Sequence, residues 1–239
     1  MRALLLAAGL GMRLRPLTLT VPKCLVPIQG RPLLDYWLES LFKAGVERVL
    51  LNTHWLPNAV RDHVSRSPFH DRIDLVYEPE LLGTAGTILA NRRWFGEGPF
   101  LVAHADNLSD FDVADFIVRH QQRPRSCALT MLAFRTDTPM TCGILETGTQ
   151  NIVTGFHEKV ENPPGDLANA AVYICEPEIP LFIASLGKRS VDFSTEVIPS
   201  FLNRIYAVPT EGYHRDIGTT EALSRAQAEW MTMPRSKPA

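Results

Sequence analysis

Two glycines, two arginines and a lysine crowd residues 9–23 in the order Gly9, Gly11, Arg13, Arg15, Lys23. Glycine lets backbone N–H groups come close to phosphate oxygens, since no Cβ stands in the way. Arginine meets a phosphate as a planar fork and lysine as a point charge. The group suits a polyphosphate such as that of a nucleoside triphosphate; a plain Gly turn followed by a solvated basic loop is the simpler alternative. A second set is Glu78-Pro79-Glu80-Leu81-Leu82-Gly83-Thr84-Ala85-Gly86-Thr87. Gly83 could lie against a planar base, and Glu80 or Glu78 could pair with a base N–H; otherwise this is a turn with Thr84 as helix N-cap. Asp106, at the end of an apolar run, is well placed to hold Mg²⁺ against phosphates, or else caps a turn. Asp216 lies about 110 residues further on, ahead of Ile217-Gly218-Thr219. A last set holds Gly143, Glu158, Lys159, Asn169 and Glu196. Its carboxylates and amide could hold sugar hydroxyls and Lys159 a phosphate, with a solvated Glu158–Lys159 pair and a turn at Asn169 as the alternatives.

Two known phosphate motifs can be tested. The P-loop needs Gly-x4-Gly-Lys-Ser/Thr, and no Lys-Ser/Thr follows Gly11. The dinucleotide fingerprint needs a third glycine where Leu14 stands, with a helix straight after it. Pro16 and Pro22 oppose that helix. A nicotinamide-dependent oxidoreductase is therefore disfavoured.

The run Leu6-Ala7-Ala8-Gly9-Leu10-Gly11-Met12-Arg13-Leu14-Arg15-Pro16-Leu17-Thr18, with Pro22-Lys23 after it, resembles the signature of the sugar-1-phosphate nucleotidyltransferases (nucleotide-sugar pyrophosphorylases). Met12 departs from it, where many members carry Thr. The resemblance runs from about Arg2 to Glu229 with the motifs in order. It implies in-line transfer of a nucleotidyl group from a nucleoside triphosphate to a sugar 1-phosphate, with Mg²⁺ on Asp106 and Asp216. Leu6, Ala8, Gly9, Gly11, Glu80, Gly83 and Thr84 would bind the nucleotide. Arg13 would stabilise the leaving pyrophosphate, and Lys23 would sit on the α-phosphate and nucleophile. Gly143, Glu158, Lys159, Asn169 and Glu196 would bind the sugar phosphate. Ala171 stands where many members have Gly. The chain most resembles bacterial guanylyltransferases acting on D-glycero-D-manno-heptose or mannose 1-phosphate, which implies GTP and surface polysaccharide synthesis. A thymidylyl- or uridylyltransferase on a hexose or N-acetylmuramic acid 1-phosphate is the alternative. A nucleotide-sugar sensor without turnover is the alternative of another class, opposed by intact Arg13, Lys23, Asp106 and Asp216.

The elements that must position these residues follow from apolar pattern. Ala3–Ala8, Val46–Asn52, Ile73–Tyr77, Phe100–His104 and Cys127–Phe134 read as strands. Pro32–Ala44, Asn58–Ser65, Thr87–Trp94 and Val113–His120 read as helices between them. This alternation predicts an α/β fold, a Rossmann-like doubly wound, mixed but mostly parallel sheet with no β-helix tail. Ligands on such sheets bind beyond the carboxyl ends of strands, where Gly9, Glu78 and Asp106 would fall. Shorter strands follow at Gly143–Glu146, Ile152–Glu158 and Ala170–Cys175, then helices at Pro177–Ser185 and Ser194–Asn203. Strands at Ile205–Val208 and Tyr213–Ile217 lead to a last helix, Thr220–Met231. One nucleotidyltransferase domain over 1–233 is expected, its nucleotide-binding half reaching about residue 134 and its sugar-phosphate half following, with a loose tail over 234–239.

The 239 residues carry a net charge of −2 and are 45% hydrophobic. Near-neutral charge gives no electrostatic case for nucleic acid. No apolar run approaches the roughly 18 residues of a membrane span, and the start of the chain has no signal-peptide anatomy. Cys24, Cys127, Cys142 and Cys175 are too scattered for a zinc site and read as reduced cytoplasmic thiols. A homo-oligomer is left open.

Overall fold

The computed structural model describes residues 1–232; the expected tail over 234–239 lies outside them. In chain order, β1 (Ala3–Leu6) leads into a loop of three short 3-10 turns, then the hairpin β2 (Pro27–Ile28) and β3 (Arg31–Pro32). Next come α1 (Leu33–Lys43), β4 (Val49–Thr53), α2 (Pro57–Ser65), β5 (Ile73–Tyr77), α3 (Gly83–Ala90), α4 (Arg92–Phe95) and β6 (Phe100–His104). They are followed by β7 (Asn107–Asp110), α5 (Val113–Gln122), β8 (Leu129–Arg135), β9 (Gly143–Thr147), β10 (Val153–Glu158) and β11 (Leu167–Cys175). The chain closes with α6 (Glu178–Ser185), β12 (Ile205–Pro209), β13 (Tyr213–Asp216) and α7 (Thr220–Thr232). The helix expected over Ser194–Asn203 is a π turn, Phe193–Val197, running into a 3-10 turn, Ile198–Phe201.

The chain forms two compact units, and neither is a sequential half divided near residue 134. The first takes residues 1–81, 103–113 and 212 onward; the second takes 82–102 and 114–211.

In the first unit β1, β4 and β5 are parallel, with Leu5 beside Leu51 and Leu51 beside Leu75. All residues of β1 and β4 are buried, as expected of strands covered on both faces. Helix α1 shows why its segment is helical: Leu33, Leu34, Trp37, Leu38, Leu41 and Phe42 recur at helical spacing and are all buried. Each such side chain contributes about 1.5–3 kcal/mol of apolar burial. Strand β13 pairs antiparallel with β7, placing Asp216 opposite Asn107. Helix α7 starts at Thr219, whose Oγ1 accepts the Ala222 N–H at 3.1 Å. Its Ala226 and Trp230 join Val26, Ile28, Leu33, Leu108, Tyr213 and Ile217 in a buried cluster.

In the second unit β8 pairs antiparallel with β11 and parallel with β12, and β9 pairs antiparallel with β10 and β11. Strands β1, β4 and β5 of the first unit are thus parallel, with β7–β13 and β2–β3 as separate antiparallel pairs, and the strands of the second unit are mixed, as the α/β alternation followed by shorter strands predicted. Among the described residues no helix is long and apolar enough to cross a membrane. All four cysteines are free thiols, and Cys24, Cys127 and Cys175 are buried as apolar fillers.

Candidate functional site

Residues 83 and 193 positions apart meet on one ammonium group in the first unit. Lys23 Nζ lies 2.7 Å from Asp106 Oδ2 and 2.8 Å from Asp216 Oδ1. Lys23 starts a 3-10 turn after Pro22 and is only 7% exposed. Asp106 sits in the turn between β6 and β7, and Asp216 closes β13. The β7–β13 ribbon brings the aspartates together, because its register sets Asp216 against the residue that follows Asp106. Trp37 on α1 holds the ribbon by donating Nε1–H to Asn107 O at 2.8 Å.

The charges are mutually sustained. Burial, the largest influence on Lys23, opposes its charge, yet Asp106 and Asp216 outweigh it and hold the ammonium above its ordinary pKa. Burial likewise pushes the Asp106 carboxyl up, but Lys23, His104 and the lysine hydrogen bond keep it below the usual carboxylate range. Burial strips charge from the neighbouring His214 and drives its pKa down to about 3. Its Nδ1 shares a 2.6 Å hydrogen bond with Ser109 Oγ.

Arg13 Nη2 stands 3.7 Å from Asp216 Oδ2 and is largely exposed. Gly218 makes room for this approach: a Cβ there would lie 2.8 Å from Arg13 Nη2 and 2.9 Å from Asp216 Oδ2. Arg215 is engaged elsewhere, in an ion pair with Glu229, and is no spare phosphate ligand.

The glycine loop is fastened from behind. Asn52, buried at the end of β4, accepts the Ala7 N–H at 2.7 Å through Oδ1 and donates to Glu78 Oε1 at 3.0 Å. Thr18 donates to Gly11 O at 2.6 Å, and Trp55 donates Nε1–H to Thr18 O at 2.8 Å. Leu6 O accepts Ala105 N–H, Ala8 is buried, and Gly9 is exposed with open space around it. Glu78 is therefore a buried brace, and Glu80 is exposed beyond β5. Asn52 and Trp55 were not singled out in the sequence. An Asn inside an otherwise apolar strand is the signal that marks the first; nothing local marks the second.

In the second unit, the side of Gly83 where a Cβ would stand faces the chain itself. Gly83 has φ +73°, and a Cβ would lie 2.5 Å from Val191 O. Ala85 and Gly86 donate to that same carbonyl. Thr84 is not the N-cap of α3, a position held by Leu82; its Oγ1 accepts Phe193 N–H at 2.8 Å.

The expected sugar-binding residues lie in this unit, each with a local partner. Gly143 stands across from Glu158 in the β9–β10 register. Lys159 is exposed and 3.1 Å from Glu158 Oε1. Asn169 donates to Tyr173 Oη at 2.7 Å and accepts Ala171 N–H at 2.9 Å. This closes the irregular stretch of β11 where Ala171 takes φ +53°. Glu196 accepts from Lys188 and from Asp192 N–H.

Among the described residues no group of three or more His, Cys, Asp and Glu forms a metal cage. Asp106 and Asp216, converging on one cation, do fit Mg²⁺, which takes one or two carboxylates and completes its shell with phosphate oxygens and water.

A family model described as Nucleotidyl transferase matches residues 2–232. Mannose-1-phosphate guanylyltransferase of Mycobacterium tuberculosis is 33% identical over 95% of this chain and 64% of its own length. The catalytic subunit beta of the Danio rerio mannose-1-phosphate guanylyltransferase is 32% identical over 91% and 61%. The chain thus spans less than two thirds of these relatives. Among solved structures, a putative glucose-1-phosphate thymidylyltransferase from Bacillus anthracis superposes with a TM-score of 0.87 at 19% identity, over 99% of this chain and 98% of that one. HddC from Yersinia pseudotuberculosis, solved also with GMP-PN, reaches 0.80 at 25% identity over 96% and 99%.

Proposed function

The chain belongs to the nucleotidyl transferase family, and on that footing we propose that it transfers a nucleotidyl group from a nucleoside triphosphate to a sugar 1-phosphate. The observation that carries this reading is the buried ammonium of Lys23 held by Asp106 and Asp216 beside Arg13. A phosphate oxygen of the sugar phosphate attacks the α-phosphorus in line, the bond from that phosphorus to the bridging oxygen breaks, and pyrophosphate leaves. No covalent enzyme intermediate is required; positioning and charge neutralisation suffice.

Lys23 exchanges a carboxylate for the α-phosphate and the attacking oxygen. Arg13, largely exposed, takes the charge of the departing pyrophosphate. The backbone from Leu6 to Gly11 receives the nucleotide, with the Asn52 and Trp55 bonds fixing the loop. Proteins of this family typically depend on a divalent metal; here Mg²⁺ held by Asp106 and Asp216 would supply Lewis-acid neutralisation of phosphate charge. Lys159 takes the phosphate of the sugar, and Glu158 and Asn169 its hydroxyls. Gly83, Thr84 and Glu196 act at one remove, by holding the 191–196 segment in shape.

The names of the relatives favour GTP with mannose 1-phosphate. The resemblance of the motifs around Asp106, Glu196 and Asp216 to bacterial guanylyltransferases favours GTP with D-glycero-D-manno-heptose 1-phosphate. We take the base to be guanine and the sugar to be of manno configuration, feeding polysaccharide synthesis from the cytoplasm, where free thiols persist. A thymidylyl or uridylyl preference rests on fold likeness alone, at 19% and 22% identity, which carries no base. The test is a matrix of four nucleoside triphosphates against several sugar 1-phosphates with Mg²⁺, read by pyrophosphate release. GTP with a manno-configured sugar phosphate should give the highest turnover. Silence across the whole matrix would reject the transferase reading in favour of a sensor.

A further inference from the structure

We propose that Glu229, on the last helix, is a positioning residue for Asp216, an inference that rests on the transferase reading of Asp216. Strand β13 is fastened on both sides by alternate residues, as strand geometry requires. Tyr213 and Arg215 reach α7: Arg215 grips Glu229 with Nε at 2.9 Å from Oε2 and Nη2 at 3.1 Å from Oε1. Tyr213 Oη donates to the same Oε2 at 2.7 Å. His214 and Asp216 serve the other side, His214 on Ser109 and Asp216 on Lys23. A two-edged arginine–carboxylate fork fixes orientation as well as distance. The ribbon has only two strands, and such ribbons are marginal without outside support. Trp230, one residue beyond Glu229, adds an edge contact to Tyr213 at 5.6 Å between ring centres, but a ring contact sets no angle as a fork does. Glu229 therefore governs where the Asp216 carboxylate points without touching substrate.

Two variants of the whole chain test this, Glu229→Ala and Glu229→Gln, the second keeping the shape and one acceptor oxygen. Both are assayed well below their melting temperatures. Turnover of Glu229→Ala should fall about ten- to a hundredfold, the cost of a small misplacement at the reacting centre. The Mg²⁺ concentration for half-maximal rate should rise, KM for the sugar phosphate should stay within about twofold, and Glu229→Gln should fall between. Mn²⁺ binding in the presence of a non-hydrolysable nucleoside triphosphate, followed by electron paramagnetic resonance, should weaken in the same order. If Glu229→Ala does not fold, Glu229→Gln alone carries the test. A lowered melting temperature with turnover and Mn²⁺ affinity unchanged overturns the proposal and leaves Glu229 a structural fastener. Failure of the transferase reading looks different, because the unaltered chain would then be silent across the whole substrate matrix.

Discussion

Each unit encloses a titratable side chain, and the two end in opposite charge states. The first buries a charge and keeps it: Lys23 is nearly enclosed and ionised because two aspartates from distant segments face it. The second buries a titratable group and discharges it: His120 is enclosed, its Nδ1 shares a 2.8 Å hydrogen bond with Thr130 Oγ1, and burial first, then Arg123, drives its pKa down to about 4. Keeping a charge in low dielectric is expensive and persists where opposite charges are held ready. A neutral buried histidine is what packing alone produces. The contrast separates a side chain kept charged to meet a charged ligand from one whose polar contacts serve the fold.

The sharpest way to break the contrast is Asp106→Asn. Turnover should fall by about a thousandfold, as befits loss of a group that neutralises transferring phosphate, while the melting temperature stays near that of the parent because Asp216 still faces Lys23. Calorimetry with single-turnover kinetics checks both; near-normal turnover removes Asp106 from the site.

Of comparable size is an acid effect that His120 in the second unit shares with His214 in the first. The folded-state pKa of His120 lies below the unfolded value of about 6.5, so the unfolded chain binds the proton first. Its contribution is complete above pH 6.5 and falls away down to about pH 4, amounting to about 2 kcal/mol of lost stability at pH 5. Urea unfolding at pH 7 and pH 5 should show this loss, and His120→Gln should remove the His120 share while the His214 share remains.

Gly83→Ala should cost about 2–3 kcal/mol, since the new Cβ meets Val191 O in a left-handed backbone. Unchanged unfolding together with a raised KM for the nucleotide would return Gly83 to the base. The smallest effect is a gain: Ala171→Gly should stabilise the chain by about 1 kcal/mol in denaturant titration by relieving φ +53°.

Much of the fold was legible because it is written in apolar runs. Ile73–Tyr77 and Phe100–His104 have the bounds their patterns imply, and α1 differs by one residue at each end. Strand β7 was not legible: Asn107-Leu108-Ser109-Asp110 is short and mostly polar, and it is a strand only because β13 pairs with it from about a hundred residues away. The interleaving of the units was hidden for the same reason. Within the site, Lys23, Asp106 and Asp216 stood out by type and motif, whereas Glu229 sits among ordinary polar positions of an amphipathic helix. Glycine was read as room for a ligand; at Gly83 that room belongs to Val191, a partner no local pattern announces. Met12 is exposed, and nothing in the structure explains it.

The division of the first unit into three separated stretches bears on how the chain comes into being. A ribosome delivers Lys23 early, Asp106 later, and Asp216 about 110 residues after that. At about 5–20 residues per second this leaves roughly 5–20 seconds in which Lys23 and Asp106 exist without their third partner. During that interval the second unit is completed by its residues 114–211, while β7 waits as an unpaired edge. The charged centre is thus completed only after the second unit, and a chain cut short before β13 would carry the glycine loop but no assembled site.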